Sequence, residues 1–155
     1  MKEERHEPDR HFGIGIVNAK NDQNIGTLWR SAYTLGASFI FTINRRYKSQ
    51  ATDVHNTWTK IPLFHFQSFA DFKESLPYGC QLVGIEMTDD AVALKDFRHP
   101  ERAVYLLGAE DHGLSGEAIA ACHKIVKLPG KDSLNVSTAG SIVLYDRTVQ
   151  FGDET

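Results

Sequence analysis

Three stretches combine glycine, small hydroxyl or amide side chains and one charged group at fixed spacing. The first runs from Asn18 through Asn24-Ile25-Gly26 to Arg30. The second is Gly108-Ala109-Glu110-Asp111-His112-Gly113-Leu114. The third opens at Pro129-Gly130 and continues to Ser133-Leu134-Asn135-Val136. Small residues leave backbone N–H groups uncovered. Ser133, Asn135, Ser137 and Thr138 add hydroxyls and amides, so a loop of this kind can hold a ligand by hydrogen bonds. Arg30 carries a permanent charge and suits a phosphate or a developing oxyanion. Taken alone, each stretch has a plain structural reading. Gly108 and Gly113 serve as turn glycines, Arg30 as a solvated helix residue, and Glu110-Asp111 as a loop tip. His112 and Asp111 match an acid–base pair by type, but neighbours in a turn need not face one another, and the turn reading is preferred. Ser115 reads as a helix cap, since no GxSxG is present. Residues 13–26 supply no GxGxxG, which argues against an ordinary doubly wound nucleotide-binding protein.

Each of the three stretches must be positioned by the apolar run before it and the helix after it. Phe12 to Val17 reads as a strand. The helix from Asn24, a candidate N-cap, to Leu35 buries Ile25, Leu28, Trp29 and Ala32 and turns Arg30 away from the core, with Gly36 as its left-handed stop. Ser38 to Ile43 is a second strand, so the connection is a right-handed parallel crossover. A short edge strand is expected at Ile61 to Phe64 and a helix from Ser68 to about Leu76. A buried strand follows at Gln81 to Glu86, then an irregular loop from Met87 to Pro100. Ala103 to Leu107 is the strand that feeds the second stretch, and a helix spans Gly116 to Ala121. Ile125 to Leu128 is the last strand. In the final helix Val136, Ala139, Gly140, Val143 and Leu144 share one face. The alternation is that of an α/β domain with a mostly parallel sheet flanked by helices. Residues 1–10 read as a frayed tail, 11–150 as one domain and 151–155 as a second short tail. Residues 51–58 have room for a helical turn. The pairs Phe64/Phe66 and Phe69/Phe72 read as core.

Composition narrows the function classes. With 155 residues the chain can bury one sizeable core. Its net charge of −3 excludes a generally basic nucleic-acid binder, so contact with RNA requires a local patch. Arg45, Arg46 and Lys48 around Tyr47 form such a patch and read equally as a solvated loop or as an RNA-backbone contact with one stacking ring. Cys80 and Cys122 stand apart, without a CxxC pair or a secretory leader. This fits reduced thiols in the cytoplasm and argues against a disulfide scaffold or a metal site. No apolar run approaches the length of a membrane span.

The three stretches, in this order, resemble the motifs of the SPOUT superfamily, in its SpoU/TrmH branch of RNA ribose 2′-O-methyltransferases. The likeness covers roughly residues 11–148. It implies a fold that periodicity does not reveal: an α/β-knot in which the C-terminal segment is threaded into a deep trefoil knot. It implies S-adenosylmethionine as methyl donor, held by Ile85, Glu86, Gly108, Leu128, Ser133, Leu134 and Asn135. It places Arg30 at the catalytic position, supplied by the partner subunit of a homodimer. Arg30 would stabilise the alkoxide and grip a neighbouring phosphate, since a guanidinium is an awkward base. Asn24 would fix the helix start and touch the substrate. Glu110 would hold the motif loops together, and Ser133 and Asn135 would position the acceptor. The substrate class is tRNA or rRNA. The absence of an added N-terminal RNA-binding domain and of a basic C-terminal extension weakly favours tRNA. A non-catalytic RNA-binding or assembly module that has kept the knot is the alternative. The presence of Arg30, Glu110 and the Ser133-Leu134-Asn135 run argues against it.

Overall fold

The computed structural model describes residues 10–45, 60–109 and 112–152. Among these residues seven strands form one sheet: β1 (His11–Val17), β2 (Phe39–Ile43), β3 (Leu63–Phe66), β4 (Gln81–Ile85), β5 (Val92–Ala93), β6 (Arg102–Gly108) and β7 (Lys124–Lys127). Their order is β3-β2-β1-β6-β4-β7-β5 and every pairing is parallel. The described residues hold four α-helices: α1 (Asp22–Thr34), α2 (Phe69–Glu74) and α3 (Gly116–Ala121) connect strands, and α4 (Val136–Phe151) follows the last one.

Both faces of the sheet are covered, which is why its central strands read as almost unbroken apolar runs. The period of two sorts their side chains. Ile14, Ile16, Ile40, Val83, Tyr105 and Leu107 join a core with Ile25, Leu28, Val143 and Leu144 of α1 and α4. Phe41, Leu82, Val104 and Leu106 join a second core with Phe72 of α2 and Ala118 of α3. Phe41 and Phe72 stack at 4.6 Å between ring centroids and dock the short helix α2. Gly140 brings α4 close to the sheet and to α1. A Cβ there would lie 2.6 Å from Leu28 Cδ1 and 3.0 Å from Leu107 Cδ1.

Several boundaries differ from the sequence expectation. Helix α1 begins two residues earlier. Asn21, not Asn24, is its cap, with a side chain that accepts from Gln23 N. Asn24 therefore lies inside the first turn. The strand after Pro62 starts at Leu63, because Pro62 lends only its carbonyl, to Ile40 N. The loop from Met87 to Pro100 contains β5 and a 3-10 turn at Leu94–Asp96. Two residues of strand are too short to show a period. Phe72 is buried, but Phe64 is 49% exposed on the edge strand, so it is not core. The helical turn expected within 51–58 lies outside the described residues. Strand β7 inserts between β4 and β5, which both precede it in the chain.

The C-terminal half of α4 is anchored by a buried polar network. Arg147, 2% exposed, donates to Pro100 O (2.6 Å), Glu101 O (2.7 Å) and Tyr105 Oη (3.1 Å). Its guanidinium also lies 4.3 Å from the Phe12 ring centroid. Tyr105 Oη accepts from Arg147, and with the buried His99 neutral it donates its own proton to Nδ1 at 2.7 Å. That leaves Nε2–H of His99 to donate to Asp146 Oδ2 at 2.8 Å. Burial pushes the Tyr105 phenol up to about 12 and holds His99 below its ordinary value of 6.5, against the opposing pull of Asp146.

The unfolded chain thus takes up a proton on His99 that the folded chain resists. Stability is full above 6.5 and falls as the pH drops through that value toward the lowered one. Thermal melts between about pH 7 and about pH 5 will show a falling Tm, and His99→Gln will flatten the slope. An unchanged slope in the variant would remove His99 as its source.

Candidate functional site

In an all-parallel sheet every strand releases its following loop at the same edge. Here the loops after β4, β6 and β7 meet the N-terminus of α4 and enclose a cavity of about 440 Å³. The volume suits a nucleoside-sized ligand. Ile85 and Glu86 enter from the end of β4, Leu107 and Gly108 from β6, Leu128 from β7, and Ser133 and Leu134 from the segment before α4. Val136 and Ala139 complete an apolar wall. Leu134 is 41% exposed, an unusual position for leucine unless something covers it.

One corner of the cavity is built by close packing. Gly113 has φ +60°, and a Cβ on it would lie 2.2 Å from Glu86 Oε2. A Cβ on Gly108 would lie 2.2 Å from the Gly113 carbonyl carbon. The two glycines let the 112–114 segment fold down onto the end of β6. The Gly113 amide donates to Ala109 O at 2.9 Å. Glu86 then clamps this segment to β4: Oε2 accepts from Leu114 N (2.8 Å) and Oε1 from Met87 N (2.9 Å).

Six of the seven residues expected to hold a cofactor line this cavity. Asn135 does not. Its Oδ1 caps α4 by accepting from Ser137 N (3.0 Å), Ser137 Oγ (2.6 Å) and Thr138 N (3.3 Å), and its Nδ2 donates to Asn24 Oδ1 at 3.0 Å. The first and third motif stretches are therefore in direct contact, and the N-termini of α1 and α4 lie side by side. Ser31 and Ser141, one to two turns further on, bond at 2.9 Å, so the two helices run in the same direction.

Arg30 is exposed on α1 and is not among the cavity-lining residues. Arg45 is tied down, with Nη1 donating to Ala19 O at 2.9 Å and Nη2 3.7 Å from Asp22 Oδ1. Asn18 and Asn44, at φ 56° and 73°, pin the same two loops, Asn44 Nδ2 donating to Asn18 Oδ1 at 2.7 Å. Glu110, Asp111, Arg46, Tyr47 and Lys48 lie outside the described residues. Ser115 is a helix cap, its Oγ accepting from Ala118 N at 3.1 Å. Met87, Thr88, His112 and Asp132 line the cavity without having been expected there. Met87 and Thr88 closely follow β4, and His112 and Asp132 lie inside the second and third stretches; that was the available signal. The Cys122 thiol donates to Ala118 O, and burial pushes its pKa up to about 11, which leaves it unreactive. Among the described residues no helix is long and apolar enough to cross a membrane.

Comparison with known proteins converges on one family. The pattern of the SpoU rRNA Methylase family matches residues 11–145. The tRNA (guanosine(18)-2′-O)-methyltransferase of Saccharomyces cerevisiae is 28% identical over 137 residues, covering 82% of this chain and 10% of that protein. A solved structure described as giving insight into the 2-OH methylation of C/U34 on tRNA superposes with a TM-score of 0.79 at 25% identity, over 92% of this chain and 97% of the other. The AviRb methyltransferase of Streptomyces viridochromogenes in complex with AdoMet shares the fold, with a TM-score of 0.82 at 23% identity over 94% and 59% of the two chains. The chain spans less than two thirds of the length of the first curated relatives it matches.

The packed corner makes a direct prediction. Gly113→Ala will place a side chain in a left-handed conformation and against the Glu86 carboxylate. It will lower the unfolding free energy by about 1–3 kcal/mol in a denaturant titration. A loss below about 0.5 kcal/mol would show that the corner yields without cost.

Proposed function

The chain belongs to the SpoU rRNA Methylase family, and on that premise we propose that it is an S-adenosylmethionine-dependent RNA methyltransferase acting on a ribose 2′-hydroxyl. The observation that carries this reading is the cavity itself. It lies where the second and third motif stretches meet, and residues expected to hold the cofactor line it. Its donor set fits the group. Apolar side chains of Leu107, Leu128, Leu134 and Val136 suit a flat adenine, and the bare backbone at Gly108 allows close approach.

The cofactor supplies a methyl group on a sulfonium, open to in-line displacement by an oxygen nucleophile. The chain's own residues hold it, exclude water with the apolar wall, and orient the acceptor. Two helix N-termini lie side by side, that of α4 at the cavity edge, and each carries a partial positive charge that favours an anionic acceptor. Asn24 and Asn135, bonded to one another, fix that pair of termini. Ser133 lies on the cavity wall and is the hydroxyl placed to meet the acceptor. Arg30 stabilises the alkoxide and grips the adjacent phosphate. Glu110 holds the motif loops.

Arg30 reaches the cavity of a second copy in this reading. Support comes from its exposure on α1 and from the apolar stripe of Ile142, Tyr145 and Val149 on α4, respectively 38%, 63% and 58% exposed. A homodimer packed through α1 and α4 would cover that stripe. Insertion of β7 between β4 and β5 supports the trefoil knot. Residues 11–150 form the catalytic domain. The RNA is tRNA in preference to rRNA, a choice supported by the tRNA methyltransferase relative and by the structure concerned with tRNA position 34. Arg46 and Lys48 meet its backbone, with Arg45 as the anchor of their loop. The protein works in the cytoplasm.

Total RNA from a strain lacking this protein, incubated with it and a tritiated methyl donor, will acquire label in a 2′-O-methylated nucleoside of the tRNA fraction. Label on a base nitrogen would overturn the ribose assignment, and label in rRNA alone would overturn the tRNA preference. Arg30→Ala will reduce turnover by about 10²–10³-fold while leaving cofactor affinity within about twofold. Mixing that variant with a cavity-blocked Leu134→Arg protein will restore part of the activity through heterodimers. Failure to do so, with subunit exchange demonstrated, would place the site within one chain.

A further inference from the structure

Two polar side chains that line the cavity, two residues apart in the chain, are left incomplete by the described residues. Glu86 is half-buried there, and an ionised carboxylate offers about four acceptor positions. Met87 N–H takes one on Oε1 and Leu114 N–H takes one on Oε2. Among the described residues no further partner meets it, so each oxygen keeps an acceptor position. Two residues on, Thr88 lines the same cavity, and among the described residues its buried Oγ1 meets no hydrogen-bond partner. A buried hydroxyl left unpaired is costly, and native chains rarely keep one without a use.

We propose that Glu86 and Thr88 form a subsite for the vicinal 2′,3′-diol of the cofactor's adenosine ribose, an inference that rests on the methyl-donor reading above. The chemistry singles out a diol. The carboxylate is held by one N–H on each oxygen, so its remaining capacity is spread over both. Two neighbouring O–H donors match that arrangement. Of the cofactor's other donors, the adenine N6 amine belongs to the base, which the apolar wall takes, and the α-ammonium group only donates. Facing Thr88, it would use the hydroxyl oxygen and leave the hydroxyl hydrogen unpaired again. A ribose hydroxyl donates to Glu86 and accepts from Thr88, and so satisfies both groups. The apolar wall of Leu107, Leu128, Leu134 and Val136 is then left for the base. Glu86 has two tasks in this arrangement. It clamps the 113–114 segment through the protein's own N–H groups, and it reads the ribose through the acceptor positions that remain.

The test is calorimetric binding of S-adenosylhomocysteine and its 2′-deoxy and 3′-deoxy counterparts to the wild-type protein, Glu86→Gln and Thr88→Val. The wild type will prefer the ribose form about tenfold over each deoxy form, the size of one charge-assisted hydrogen bond. Glu86→Gln will shrink that preference to below about threefold, since an amide offers one acceptor oxygen where the carboxylate offers two. A purely structural role for Glu86 would weaken all three ligands alike and leave the ratio intact, and that result overturns the subsite. Thr88→Val keeps the β-branched shape and removes the orphaned hydroxyl. It will bind S-adenosylhomocysteine about three- to tenfold more weakly, while the unliganded Tm stays level or rises by about 2 °C. Undiminished binding by this variant also overturns the proposal, and it decides the matter should Glu86→Gln fail to fold. Binding by the wild type without any hydroxyl preference overturns the subsite alone. No binding at all by the wild type overturns the methyl-donor reading and the subsite with it.

Discussion

The close approach of α4 to α1 and the sheet at Gly140 is the contact on which the rest of the site depends. No side chain fits between Gly140 and the Leu28, Leu107 and Ile14 methyl groups, so the axis of α4 is set by steric exclusion. Once that axis is set, the position of its N-terminus follows, and with it the Asn135 cap and the bond to Asn24. The far half of α4 is held by a different kind of force. There Arg147, Tyr105, His99 and Asp146 form a satisfied network in which each proton has one place to go. Buried networks of this sort specify one arrangement more than they add stability. The helix is located by shape at its middle and by hydrogen-bond direction at its end, which leaves its first turn rigid where it borders the cavity.

A parallel sheet covered on both faces leaves its strand ends as the natural place for a ligand, because only there does the chain present polar loops. The cavity uses three such ends. Its walls are divided by chemistry: leucine, valine and alanine from the strand ends and the start of α4, and the Glu86 corner opposite. That corner exists because Gly108 and Gly113 allow two backbone segments into contact. The carboxylate is then oriented by amides of the protein before any ligand arrives. Preorganised acceptors cost no rearrangement when the ligand binds.

Much of this was legible in the sequence, and for identifiable reasons. The strands β1, β2, β4 and β6 are fully covered and so carry unbroken apolar runs. The face of α4 that packs on the core could be read residue by residue from Val136 to Leu144. The loops after the strands were visible as polar, glycine-bearing interruptions, and six cavity residues followed from them and from the family resemblance. What the sequence hid was set by contacts between distant segments. Asn21 and Asn24 are both plausible caps, and only tertiary position shows that Asn24 is needed elsewhere, opposite Asn135. Strand β5 is two residues long and exists because β7 lies beside it. Thr88 is unremarkable in a polar loop until its hydroxyl is found buried. Arg45 reads as a free cation until Ala19 and Asp22 are brought to it by the β1–β2 pairing.

The position of Arg30 links the physical argument to assembly. A residue on the outward face of α1 serves the packing of its own chain very little, and the cavity of its own chain is lined without it. Yet α1 is held with more care than a covering helix needs. It is capped at Asn21, tied to α4 at Asn24 and Ser31, and pinned near its start by Asp22 to Arg45. Rigid presentation of an exposed cation is wasted unless something is presented with it. The adjoining face of α4 carries Ile142, Tyr145 and Val149 at 38%, 63% and 58% exposure, apolar surface whose covering would favour association. A second copy seated on that face would bury the stripe and carry Arg30 with it in one rigid unit. The same surface would then supply both the energy of association and the charge that the proposed chemistry assigns to Arg30.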